Sequence, residues 1–321
     1  MTAQQYIEKR LNELKTYDGE LINFASKKEL TDFVYKSVMS KKFRKYSVDE
    51  EYQKHIYSAI EINIANNEPI KFTLAFGGYK LWRLKEAPEA DWAELFTLIY
   101  FMNWLKPIAA NYEPGVWFDF SSDNVIIERM NNIPKRETDL YQTGFLRLLD
   151  YFKNFIPSNV SFTFTPVSSR YTQAEFDREL KEKIEVVLKE NKGLPSVSEK
   201  EAAMIDLNVK LHSGQENDPK WRQRIQLIHN AYLIMDKRRP YFRTKDKIMV
   251  VATKFPNSLP LGTTKTSVAK FWAGVGALKR LNDNFIECVL SPTQIESTKN
   301  EWEQISFDGL SGKNFNKIRI I

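Results

Sequence analysis

A chain of 321 residues with 42% hydrophobic and 27% charged side chains has the composition of a globular protein, long enough for one large domain or two modest ones. Its net charge of +6, from 47 basic and 41 acidic residues, suits a phosphorylated small molecule or a nucleic acid without requiring either. The single cysteine, Cys288, excludes a disulfide framework or a CxxC metal knuckle, and His55, His212 and His229 stand in no ligand spacing, so neither a metal centre nor a cofactor is expected; a Mg²⁺ held by carboxylates and a substrate phosphate stays open.

Residues 4–68 read as helical. Tyr6, Ile7, Leu11 and Leu14 fall on one face, and Leu30, Phe33, Val34 and Val38 repeat the pattern. The basic patch at 41–45 is a loop or helix end, either a solvated face or one turned to phosphate. His55, beside Ile56 and Ile60, reads as structural. This helical N-terminal segment, 1–68, is expected to pack on a catalytic domain spanning 69–321.

The stretch 69–132 organises that domain. An apolar run at 70–76 predicts a strand, broken by Gly77 and Gly78 and followed by Tyr79 and Lys80. PEADWAELF then places Asp91 and Glu94 at the start of a helix predicted to end near Lys106 and Pro107. A turn at Glu113-Pro114-Gly115 leads to a second strand at 116–120, which closes in Ser121-Ser122-Asp123. Strand, polar loop, helix, strand, polar loop is the outline of an α/β site, where ligands gather beyond the carboxyl ends of the strands.

Residues 138–155 predict an amphipathic helix, and 160–167 a strand with Phe162 and Phe164 on one face and Ser161, Thr163 and Thr165 on the other. The recurrence of strand and helix gives the expected fold class: α/β, Rossmann-like, with a mostly parallel sheet flanked by helices. A helical, basic insertion is expected around 171–247. It holds a charged helix at 174–190, a Ser198/Glu201 capping box opening a helix towards Leu211, and a helix at 220–235. Nine basic side chains, among them Arg238, Arg239 and Lys247, crowd 215–250 against four acidic ones, as a solvated surface or a phosphate-binding one.

Beyond it lie a strand at 247–252, a long loop at 254–265, and a strand at 271–278. Gly274 and Gly276 in that strand imply close passage of another backbone or a ligand. A further strand at 285–290 and an apolar tail able to join a sheet edge complete the chain. No apolar leader and no 18-residue uncharged run is seen, so a cytoplasmic location and no membrane partner are expected.

Lys80, just past the first strand, can pair with a phosphate or, with a lowered pKa, act as nucleophile or proton carrier; a plain surface lysine is the alternative. Arg83 is a second candidate anion ligand. Gly78 lets a ligand approach the backbone or merely turns the chain, for the pair lacks both GxGxxG and P-loop spacing. Asp91 and Glu94 either cap a helix start or trade protons with an ammonium group. Ser122 and Asp123 sit where the fold gathers ligand contacts, and an Asx-turn explains them nearly as well. Lys265, among Thr263, Thr264 and Thr266, suits a phosphate or an exposed loop.

The order of motifs resembles the isonitrile synthase family of pyoverdine- and dityrosine-type biosynthesis. The pieces that carry the resemblance are PIKFTLAFGGYK (69–80), PEADWAEL (88–95), YEPG (112–115), FSSDNVIIERMNNI (120–133) and DLYQTGFLRLL (139–149). They cover about a quarter of the chain. The turn at 76–80 lacks the family's prolines, Ala90 separates Pro88-Glu89 from Asp91, and Asn124 replaces a glycine, which marks a divergent member or a relative with a changed substrate.

What the resemblance implies is a Rossmann-like transferase of secondary metabolism. It would condense the amine of an amino acid with the ketone of ribulose 5-phosphate, C2 of the sugar becoming the isonitrile carbon. Lys80, Asp91, Glu94 and Asp123 then correspond to catalytic positions. Lys80, Arg83 and Lys265 would meet the phosphate, and Tyr79 and Trp82 would line a pocket for an aromatic amino acid. Two other classes are a group-transfer enzyme using a nucleotide-containing donor, and a nucleic-acid or protein-binding module using 41–45 and 237–247.

Overall fold

Alternating side chains decide the centre of this fold, because three successive strands each present phenylalanines to one side and small polar residues to the other. The computed structural model describes residues 1–44, 46–76, 89–122, 124–131, 133–203, 205, 218–236, 244–252, 257–262, 268–299, 301–310 and 312–321. Helices α1 (Ala3–Asn12), α2 (Lys27–Val38) and α3 (Glu50–Ala65) come first. The side chains of Thr2, Ser26 and Asp49 cap them by accepting from backbone N–H groups of the first turn.

Then follow β1 (Ile70–Phe76), α4 (Trp92–Asn111), β2 (Val116–Ser122), α5 (Asn124–Asn131), α6 (Lys135–Phe152) and β3 (Val160–Pro166). After α7 (Gln173–Glu190) and α8 (Pro219–Leu233) come β4 (Lys247–Val251) and β5 (Leu259–Pro260). These five strands form a parallel sheet in the order β3-β2-β1-β4-β5. The chain reverses its direction of winding between β1 and β4, which makes that boundary the topological switch point of a Rossmann-like sheet.

One face of the sheet is aromatic and packs on α4 and α6. Phe72 meets Trp104 with ring centroids 4.9 Å apart, Phe118 meets Phe101 at 5.0 Å, Phe120 meets Phe145 at 5.1 Å, and Phe162 meets Phe152 at 5.8 Å. One apolar cluster runs from there into the N-terminal helices. His55 is structural: it stacks on Tyr52 and its Nε2 lies 2.9 Å from the Lys247 carbonyl. The Arg44 guanidinium donates to the carbonyls of Met39 and Tyr46, which ties this part of the basic patch to the chain itself; Lys45 lies outside the described residues. Ser198 and Glu201 form both bonds of the expected capping box, while the continuation towards Leu211 lies outside the described residues.

Two expectations are corrected. The helix expected to stop near Pro107 continues to Asn111 with the proline inside it. An interior proline costs about 3 kcal/mol. Beyond it, Ile108 is wholly buried and Ala109 and Tyr112 nearly so, each large side chain contributing about 1.5–3 kcal/mol. Burial therefore outweighs the lost hydrogen bond. The strand expected at 271–278 begins only at Val275, because Val268–Ala273 forms a 3-10 segment kinked at Lys270.

That strand does not extend the parallel sheet. β6 (Val275–Leu281), β7 (Asn284–Leu290), β8 (Glu301–Gln304) and β9 (Lys317–Ile320) make a second sheet in the order β7-β6-β9-β8, with a short helix, α9 (Pro292–Ser297), between β7 and β8. β6–β7 and β8–β9 are antiparallel and β6–β9 parallel. The expected close approach at the glycines is present, since a Cβ on Gly276 would lie 2.3 Å from the Ala93 nitrogen and one on Gly274 1.7 Å from the Leu290 oxygen. The tail joins this sheet as β9. Among the described residues no helix is long and apolar enough to cross a membrane.

Burial also sets an alkaline limit to stability. It pushes the hydroxyls of Tyr100, Tyr112 and Tyr151 up to about 12. A group whose folded pKa exceeds its unfolded value of about 10 stabilises the fold below that value and loses the contribution as pH rises through the folded one. Stability should therefore decline between pH ~10 and ~12, and an ultraviolet titration should show a late-ionising class of tyrosines. Ionisation of every tyrosine near pH 10 with the melting temperature unchanged would contradict this account.

Candidate functional site

β1, β2 and β3 end on one line, Phe76 opposite Ser122 and Ser122 opposite Pro166, so their carboxyl ends form a common edge. α4 and α5 both start there and bring their positive dipole ends with them. Of the residues singled out in the sequence, Asp91, Glu94 and Ser122 stand at this edge. Gly78, Tyr79, Lys80, Trp82, Arg83, Asp123, Lys265 and the basic Arg238 and Arg239 lie outside the described residues.

The carboxylate pair forms the capping arrangement. Asp91 is the N-cap of α4 and its Oδ1 accepts from the Ala93 N–H at 2.7 Å and the Gly276 N–H at 3.2 Å. Glu94 accepts from the Asp91 N–H at 2.8 Å through Oε2 and from the Tyr141 hydroxyl at 2.8 Å through Oε1. Asp91 is 5% exposed and Glu94 fully buried, depths at which a carboxylate persists only with such partners. Burial, then the charge of Glu94, pushes the Tyr141 hydroxyl far above the ordinary tyrosine range, so it remains a donor. The pair thereby ties α4, α6 and the second sheet together at the edge.

Ser122 is buried on the aromatic side. Next to it Asn124 donates from Nδ2 to the Ser168 hydroxyl at 3.4 Å, and its buried Oδ1 has no partner among the described residues.

The opposite face of the sheet holds what the sequence reading passed over. Register places Thr73, Asp119 and Thr163 in one row and Ala75, Ser121 and Thr165 in the next. Thr73, Asp119 and Ser121 are wholly buried. Asp119 Oδ1 accepts from the hydroxyls of Thr163 at 2.7 Å and Thr165 at 2.8 Å, and Arg170 reaches back from beyond β3 to donate to Ser121 Oγ at 2.9 Å. Lys247 lies 5.1 Å from the centre of the Trp117 ring. Burial lowers its pKa; the charges of Asp246 and Asp119 oppose that shift, and Lys71 and Arg170 add to it. The Thr73 hydroxyl, like Asn124 Oδ1, is buried without a partner among the described residues.

This polar floor combines one enclosed carboxylate, two cations and a set of hydroxyls beneath the site edge. Buried polar atoms are almost always satisfied, so Asn124 Oδ1 at the edge and the Thr73 hydroxyl three residues below it point to a ligand or water. A guanidinium and an ammonium with adjacent hydroxyls suit a phosphate or another oxyanion. Among the described residues no group of three His, Cys, Asp or Glu side chains is placed to hold a metal ion. The signal was in the sequence: both faces of a doubly wound sheet are ordinarily apolar, whereas KFTLA, WFDFS and SFTFT each carry two or three polar residues at alternate positions.

No protein-family model and no curated protein sequence matches this chain. In structure it is similar to the crystal structure of the PvcA protein from Pseudomonas aeruginosa, with a TM-score of 0.60 and 15% sequence identity over 91% of this chain and 99% of that one. At that identity the likeness is one of fold.

Proposed function

We propose that this protein is a small-molecule biosynthetic enzyme of the isonitrile synthase type, or a divergent relative with a changed substrate, joining the amine of an amino acid to the ketone of a phosphorylated ketose such as ribulose 5-phosphate. The observation that carries this reading is the polar floor, an enclosed carboxylate flanked by Arg170 and Lys247 below the site edge of a parallel sheet. The motif order and the PvcA-like fold support it.

The chemistry divides among the residues as follows. A phosphate requires cations, and Arg170 and Lys247 join Lys80, Arg83 and Lys265 as candidates. The amine attacks C2 of the ketose only when neutral, forming a C–N bond, and water then leaves to give an imine; both steps need a proton carrier. Both Glu94 oxygens accept hydrogen bonds within the fold, so in this reading Glu94 and Asp91 also hold the edge in place. The candidates for proton transfer are Asp91, Glu94, Asp123 and Lys80. Gly78, Tyr79 and Ser122 are assigned to the substrate contacts.

Calorimetry tests the reading with ribulose 5-phosphate, a nucleoside diphosphate and S-adenosylmethionine, on the wild type, Arg170→Ala and Lys80→Ala. The pentose phosphate should bind, and each variant should bind it at least about tenfold more weakly, the scale of one lost charge-assisted hydrogen bond. Stabilisation by a nucleotide alone would keep the fold and discard the reaction. An Arg170→Ala protein with unchanged affinity would remove the polar floor from the site.

A further inference from the structure

A second cavity, of about 710 Å³, lies where α1, the turn after α2, the C-terminal half of α4 and β7 meet. Its size is that of a small-ligand pocket, typically about 300–1,000 Å³. It belongs to another part of the molecule from the sheet edge. Lys106 on its wall stands 15 residues along α4 from Asp91, about 22 Å at the helical rise.

Its lining has two parts. Tyr17, Phe43, Tyr100 and Phe285 supply flat apolar surface. The arrangement is fixed in advance: Phe43 and Tyr100 meet edge to face at 5.4 Å, and the Tyr100 hydroxyl donates to the Phe43 carbonyl at 2.8 Å. The other part is a set of charged side chains. Arg10 is committed within the fold, with Nε 2.8 Å from Glu287 Oε1 and Nη1 3.4 Å from Glu13 Oε2. Lys106 differs, because its half-buried ammonium meets only a neutral oxygen, the Glu13 carbonyl at 2.6 Å, among the described residues. Burial, and then the nearby Arg10, lowers its pKa, and Lys42 pushes the same way. Asp18, on the exposed rim, answers one of these charges.

We propose that this cavity binds a small organic anion with a flat apolar body, an aromatic carboxylate, whose charge sits between Lys106 and Lys42 and whose ring lies against Phe43, Tyr17 and Phe285. A half-buried ammonium that forms no ion pair among the described residues, its charge only partly offset by Glu13 and Asp18, is stabilised by an arriving anion, and the aromatic walls remove the ring from water.

The test is calorimetry with phenylpyruvate, its uncharged methyl ester and inorganic phosphate, on the wild type, Lys106→Met, Lys42→Ala and Arg170→Ala. Phenylpyruvate should bind one to one, with the ester and phosphate each at least tenfold weaker. Lys106→Met should lose at least tenfold, Lys42→Ala about threefold, as expected for an exposed charge, and Arg170→Ala nothing. If Lys106→Met melts early through loss of its anchor on Glu13, the exposed Lys42 carries the test. Absence of saturable binding, an ester or phosphate that binds as well as phenylpyruvate, or a loss caused by Arg170→Ala would each overturn the proposal.

Discussion

Replacing Gly276 by alanine should destabilise the protein by about 3 kcal/mol, the upper part of the range for an overpacked methyl. The added Cβ would stand 2.3 Å from the Ala93 nitrogen and 2.4 Å from the Trp92 carbonyl carbon, and both are backbone atoms that no rotamer change can move. Moving the helix instead is resisted by Glu94, which holds the Asp91 N–H and the Tyr141 hydroxyl at once. Moving β6 stretches the bond from the Gly276 N–H to Asp91 Oδ1, and a hydrogen bond to a charged group contributes about 1.5–3 kcal/mol. Gly144→Ala is the matched control. Its Cβ would come no nearer than 3.4 Å to another atom, and a helix-interior alanine gains about 0.5–1 kcal/mol over glycine. Urea unfolding of both variants decides the matter. A Gly276→Ala protein as stable as the wild type would mean that the second sheet does not rest on the start of α4.

Gly276 also shows where a sequence speaks and where it stops. A glycine inside an apolar run announces a close neighbour, but nothing local says that the neighbour is the backbone of Trp92 and Ala93, some 180 residues earlier. The parallel strands were legible because alternation over 70–76, 116–120 and 160–167 needs only side-chain periodicity. Pro107 misled because the rule against an interior proline is local, whereas the burial of Ile108 that overrides it is tertiary. The second sheet was hidden for a related reason. β6 and β7 read as strands, yet only long-range pairing tells β9 to join β6 and leave the parallel sheet alone.

For the site, the edge could be read and its floor could not. The helix-start pattern marked Asp91 and Glu94, and the capping box they form was one of the two readings open for them. Asp119 lay unremarked in the middle of WFDFSS, since a strand-interior aspartate has no motif of its own. Its meaning depends on Thr163 and Thr165 two rows of the next strand away and on Arg170 beyond it. Two or three polar residues at alternate positions in each of three neighbouring strands is the pattern that would have found it.

Asp119→Asn should therefore have two effects of opposite sign. The amide keeps an acceptor for the threonine hydroxyls but removes one of the two carboxylate charges that act on Lys247, so the fold should lose about 3 kcal/mol, the low end for breaking a buried charge pair because Lys247 is only half-buried and Asp246 still acts on it. Asp119 is among the groups that raise the Lys247 pKa against burial, so its neutralisation lowers that pKa further. A lysine whose folded pKa lies below its unfolded value makes stability rise with pH across the interval between them, because the unfolded chain binds more protons there. The deficit of Asp119→Asn relative to wild type should accordingly shrink from neutral pH towards about 10, where an unfolded lysine titrates. Adding Lys247→Met should restore part of the loss, with a coupling of about 0.5–3 kcal/mol. Under the proposed function the same loss of negative charge should tighten the binding of ribulose 5-phosphate, since Arg170 and Lys247 then face the phosphate with one competing carboxylate fewer. Urea melts across the pH range and calorimetry on one protein preparation separate these effects. A deficit that is flat with pH and additive with Lys247→Met would show that Asp119 and Lys247 do not interact, and abolished sugar-phosphate binding would turn Asp119 from a counter-ion of the floor into a direct ligand contact.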